Sequence, residues 1–126
     1  MSNPEVTKRI MDCVSYCKSR ASRAESEFDS ASRAIQRQAS YSIDLFGGDV
    51  TSRVADISRD SRRACDNLYT AYQSLIHTLD ETCRPLLSQD PEVSAVRAVC
   101  ELMKWLNDES EIENNFTASF NGRDLG

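Results

Sequence analysis

The sequence predicts an all-α fold: a long antiparallel helical hairpin (about 4–45 and 49–87) and a shorter third helix (about 91–107), pairing into a helical bundle. Three observations carry this reading. Glycine and proline are scarce, with four Gly and three Pro in 126 residues. Neither residue occurs between Glu5 and Phe46 or between Asp49 and Arg84. Across both stretches, apolar or small residues recur at alternating steps of three and four, the period of a heptad seam.

The first helix opens at Asn3-Pro4-Glu5, where Asn can cap, Pro suits the first helical position and Glu faces the positive helix end. Its seam runs through Val6, Ile10, Val14, Cys17, Ala21, Ala24, Phe28, Ala31 and Ile35. The middle of that seam is alanine-rich, so another helix can approach closely there. At 1.5 Å per residue a helix from Pro4 to about Asp44 would span roughly 60 Å, the length of a coiled-coil element. Phe46-Gly47-Gly48 interrupts it and predicts the turn.

The second helix takes Asp49 or Thr51 as its cap and continues the period through Val50, Val54, Ile57, Ala64, Leu68, Tyr72, Leu75, Leu79, Cys83 and Leu86. It is expected to end near Leu87. Asp90-Pro91-Glu92 repeats the opening logic of the first helix, and the third helix is expected to present Val93, Val96, Val99 or Cys100, Met103 and Leu106 on one face. Helix-favouring residues give way to Asn, Asp, Ser and Glu after Trp105 to Asn107. Residues 1–107 therefore read as a single helical domain, and 108–126 as an acidic, flexible tail.

Charge excludes some functions. Residues 1–106 carry 15 acidic and 14 basic side chains, whereas 107–126 carry five acidic and one basic. The body is near neutral and the tail holds most of the net charge of −5. Arg59, Arg62 and Arg63 are interleaved with Asp56, Asp60 and Asp66 at helical spacing, which reads as a solvated, ion-paired face. No basic footprint for nucleic acid is present. No apolar run approaches the roughly 20 residues of a membrane span, and the N-terminal residues lack the apolar core of a signal peptide.

A turn centred near residue 48 places positions whose numbers sum to about 96 opposite one another. Cys13 then faces Cys83, Cys17 lies near Leu79, and folding the third helix back brings Cys100 and His77 towards the same end. Three readings suit the cysteines: small buried hydrophobes, a Cys13–Cys83 disulfide, or a zinc site built on the i, i+4 pair Cys13 and Cys17. The short Cys-x-x-Cys pairs of most structural zinc sites are absent. His77 in "LIHTLDET" resembles the His-x-Leu-Lys-Gly motif of histidine-phosphotransfer bundles at His77 and Leu79 alone. Asp80 and Glu81 stand where Lys and Gly would be, and a carboxylate there would repel a phosphohistidine. A surface or interface histidine is the other reading. No nucleophile elbow, phosphate-binding glycine loop, His-Glu metal helix or di-iron Glu-x-x-His pair appears. The sequence therefore points away from an enzyme and calls for no cofactor.

Two long helices hinged at an aromatic followed by glycine resemble the WXG family, small ESAT-like helical hairpins exported by type VII secretion. Phe46-Gly47-Gly48 would occupy the family's Trp-x-Gly turn, with Phe in place of Trp. The family's export signal, an aromatic followed four residues later by an acid, is similar to Phe120-Asn121-Gly122-Arg123-Asp124. The resemblance covers about residues 4–88 and the tail; the third helix and the five cysteines are additional. It implies export or targeting through helix pairing, with Phe120 and Asp124 read by the secretion machinery. The partner would be the chain itself, a homologous hairpin or a larger secreted effector. The partner-binding seam would comprise Val6, Ile10, Phe28, Ile35, Val54, Ile57, Leu68, Tyr72 and Leu75. The protein would be cytoplasmic before export and would leave without a cleavable signal peptide. The alternative is a cytosolic dimeric adaptor or chaperone of an unrelated system.

Overall fold

A computed structural model describes the backbone of residues 2–45 and 50–122, and the side chains of residues 2–40, 54–112 and 114. The fold is all-α, with helices α1 (Pro4–Leu45), α2 (Val50–Cys83) and α3 (Val93–Gly122) and a short 3-10 turn at Pro85–Ser88. No strand occurs among the described residues. The α1–α2 connection falls between Leu45 and Val50, as the Phe46-Gly47-Gly48 motif predicts, but those three residues lie outside the described set.

α1 begins where its cap dictates. The Asn3 side-chain oxygen accepts from the backbone N–H groups of Glu5 (3.2 Å) and Val6 (3.3 Å), satisfying two donors that the first helical turn leaves unpaired. The same segment fastens the α2–α3 connection. The Asn3 N–H donates to the Asp90 carbonyl. Thr7 Oγ1 donates to the Asn3 carbonyl at 3.0 Å and accepts from the Glu92 N–H at 2.9 Å. Asp90 holds a left-handed φ of 58°, a conformation Asp tolerates better than most residues and one that turns the chain back on itself.

The hairpin register matches the sequence reading. Tyr72 reaches across to Glu25, its hydroxyl donating to Oε1 at 2.9 Å, and these positions sum to 97. The core lies along the helix stripes the heptad pattern marks: Val6, Ile10, Val14, Cys17 and Ala21 from α1; Leu68, Tyr72, Leu75, Leu79 and Cys83 from α2, where Cys65 is buried and the expected Ala64 only half-buried. α3 runs parallel to α1 along one side of the hairpin and adds Ala95, Val99, Leu102 and Leu106. Tyr72 meets Trp105 of α3 edge-on at 5.5 Å between ring centroids, a favoured aromatic geometry.

Three boundaries and one face differ from the sequence reading. α2 stops at Cys83, four residues before Leu87, because the Pro85 ring cannot continue the α-helical hydrogen-bond ladder and the chain tightens into a 3-10 turn. α3 starts at Val93, with the Glu92 carbonyl accepting from Ala95 N–H at 3.0 Å and Val96 N–H at 3.3 Å. α3 then continues to Gly122 instead of ending near residue 107, so the segment read as a tail is helical through Gly122. Packing overrides weak propensity here: Ser110, one turn beyond Leu106, is only 2% exposed. The buried face of α3 is Ala95, Val99, Leu102, Leu106 and Ser110, whereas Val93 is 72% exposed and Met103 is half-buried. The expected face is thus rotated: Val99 and Leu106 hold, Ala95 and Leu102 are buried, and Val93, Val96 and Met103 are not.

Candidate functional site: an open helical groove

α3 covers one side of the α1–α2 hairpin and leaves the other open. On that open side, α1 contributes Tyr16, Arg20, Arg23, Ala24 and Glu27, and α2 contributes Ala71, Ser74, Leu75 and Thr78, to a groove of about 440 Å³. A smaller hollow of about 90 Å³ continues it towards the hairpin turn between Phe28, Ala31, Ala64 and Leu68. No α3 residue lines either hollow. The floor is small: Ala24, Ala31, Ala64 and Ala71 present only methyl groups, so a facing helix backbone can approach closely.

The rim is charged on the α1 side and neutral polar on the α2 side. Arg20 stacks over the half-exposed Tyr16 ring with 5.1 Å to the centroid. Arg23 Nε pairs with Glu27 Oε1 at 3.4 Å, both side chains more than 70% exposed, so the pair is strongly screened by solvent. Along α1 the rim therefore reads basic, basic, acidic across Ala24.

The sequence-predicted residues separate into groups. Val6, Ile10, Leu68, Tyr72 and Leu75, read as partner-binding, are consumed by the chain's own core, where the three helices pack on one another. Among them Leu75 also lines the groove and Leu68 its continuation. Phe28, Ile35 and Ile57 remain half-buried, and Val54 is 48% exposed. His77 is exposed. The Phe120 side chain and the whole of Asp124 lie outside the described residues.

All five cysteines are thiols in the structure. Cys13, Cys17 and Cys83 come together at the end of the bundle away from the hairpin turn, as the register requires, whereas Cys100 is exposed and does not join them. Cys13 neighbours both Cys17 and Cys83. Burial, reinforced by those neighbouring thiols, pushes Cys17 up to about 11 and Cys83 up to about 12. Among the described residues, no group of three or more His, Cys, Asp or Glu side chains is arranged to hold a metal ion. Among them, too, no helix is long and apolar enough to cross a membrane.

Two features escape the sequence pattern. The open groove depends on which side of the hairpin α3 selects, which the α1 and α2 seams do not encode. A second, apolar hollow of about 310 Å³ lies between α1 and α3, edged by Lys18, Glu25 and Trp105. Fold and groove together define a class: an all-α bundle with one hairpin face uncovered. Comparison with protein families, curated proteins and solved structures finds no match to this chain.

Proposed function

We propose that this protein is a non-enzymatic helical interaction module whose α1–α2 groove packs against the same groove of a second copy. The observation that carries this reading is the alanine-floored groove opposite α3. The occupant follows from the rim charges. Arg20 and Arg23 lie on one side of Ala24 and Glu27 on the other, so a copy related by a two-fold axis near Ala24 sets its Glu27 against Arg23. Such an isologous pairing closes a four-helix bundle with both α3 helices outside. Its test is Ala71→Arg, which places a charge on the groove floor at a half-buried position outside the core. Light scattering after size exclusion should show the wild-type chain as a dimer and the variant as a monomer with unchanged helical circular dichroism. A monomeric wild type, or a variant that dimerises equally well, would refute the reading.

The resemblance to WXG-type hairpins extends this proposal to type VII export, alone or with a larger secreted effector. Support comes from the hinge position, the hairpin length and the Phe120–Asp124 spacing. Phe120→Ala and Asp124→Ala should each abolish appearance in the culture supernatant while intracellular protein stays folded. Normal export of both variants excludes that signal, and no export of the wild type favours the cytosolic adaptor or chaperone.

A further inference from the structure

From the thiol cluster that joins α1 to the end of α2, we infer that Cys13 and Cys83 form a reversible intramolecular disulfide, with Cys17 remaining reduced beside it. The inference is independent of the groove and of export. Cys17 and Cys83 belong to the buried core with no measurable exposure, and Cys13 is the partly exposed member packed against them. Within the cluster only Cys13 is therefore open to a reagent, and it neighbours both others.

Geometry selects the pair. Cys13 and Cys17 sit four residues apart on an intact helix, where Cβ atoms are about 5–6 Å apart. A disulfide needs roughly 3.5–4.5 Å, so that bond would require the helical turn between them to distort. Cys13 and Cys83 approach across the helix–helix interface, in the register that also sets Tyr72 against Glu25.

The oxidant is a low-molecular-weight disulfide such as oxidised glutathione. The Cys13 thiolate attacks one of its sulfurs, expelling one glutathione thiolate and leaving a mixed disulfide. Cys83 gives up its proton to solvent, attacks the Cys13 sulfur and expels the second glutathione. The protein loses two electrons and two protons, and the oxidised glutathione becomes two reduced molecules. Cys83 is held strongly in its thiol form, so the second step is the slow one and accelerates as pH rises.

The consequence is a covalent lock on a long loop. Because the bond closes about 70 residues, restriction of the unfolded chain should raise the melting temperature by roughly 10–20 °C. The test uses the full chain carrying Cys100→Ser, which removes the exposed thiol that would link separate molecules. After incubation with oxidised glutathione, non-reducing electrophoresis should show a compact monomer band, and melting should shift upwards until dithiothreitol reverses it. Cys13→Ala and Cys83→Ala should each abolish both effects, whereas Cys17→Ala should retain them. Circular dichroism of the reduced variants verifies folding, and Cys13→Ser at the half-exposed position serves if an alanine variant does not fold. Absence of the compact band in folded oxidised protein would overturn the inference, as would its loss in Cys17→Ala with retention in Cys13→Ala.

Discussion

Removing Tyr72 should disconnect all three helices at once. Its ring is 1% exposed on α2, its hydroxyl donates to Glu25 on α1 at 2.9 Å, and its edge meets Trp105 on α3 at 5.5 Å. Tyr72→Phe deletes only the hydrogen bond. A bond to a carboxylate contributes about 1.5–3 kcal/mol, and partial solvent access puts this one at the lower end. Tyr72→Ala also deletes the buried ring, about 3–5 kcal/mol for a large aromatic, including the edge-to-face contact of about 0.5–1.5 kcal/mol. Against a total stability of about 5–15 kcal/mol, the alanine variant is near the threshold of folding. With a urea dependence of about 1–3 kcal/mol per molar, Tyr72→Phe should lower the midpoint by about 0.5–1.5 M and Tyr72→Ala by about 1–5 M. Far-UV circular dichroism follows helix loss, and Trp105, the single tryptophan, reports separately on α3. Both probes should shift together in every variant. A Tyr72→Ala midpoint equal to wild type, or a Trp105 signal unmoved by it, would refute the three-helix core.

Further consequences follow from single contacts. Asn3→Ala removes the cap that satisfies Glu5 and Val6 N–H and should destabilise by about 1 kcal/mol in denaturant titrations, with Asn3→Asp close to wild type. Ser110 buries a hydroxyl that makes no hydrogen bond among the described residues; Ser110→Ala should be neutral or raise the melting temperature by a few degrees. Cys17 and Cys83 are raised above the ordinary thiol value of 9.0, so folding favours their protonated forms. That stability is complete below pH 9 and is lost as pH rises towards 11 and 12. Reduced wild type should therefore melt progressively lower above pH 9, and Cys83→Ala should flatten that decline.

Periodicity made α1 and α2 legible because each buries one continuous stripe, and the glycine pair set which positions meet. Cys13 against Cys83 follows from the same register that pairs Glu25 with Tyr72. α3 was less legible for a physical reason. Its apolar residues Val93, Ala95, Val96, Val99, Cys100, Leu102 and Met103 spread over about half of the helix circumference, so the stripe alone is too broad to select the buried face. Its extension past residue 107 rests on tertiary packing of Leu106 and Ser110, which overrides the weak helix propensity of Asn, Asp and Ser. The groove is the complement of the face α3 chooses and became visible only once that choice was known.

Charge reversal on the groove rim tests the central claim, pairing of two copies about an axis near Ala24, most directly. Arg23→Glu alone and Glu27→Arg alone each place two like-charge contacts across the two-fold interface. Exposed pairs contribute about 0.2–1 kcal/mol each, so losing two of them should weaken self-association about two- to thirtyfold. Mixed in equal amounts, the two variants restore opposite charges at both contacts. Sedimentation equilibrium should show weak self-association of either variant alone and near wild-type association of the mixture. A mixture no tighter than its components, or variants as tightly paired as wild type, would contradict the account.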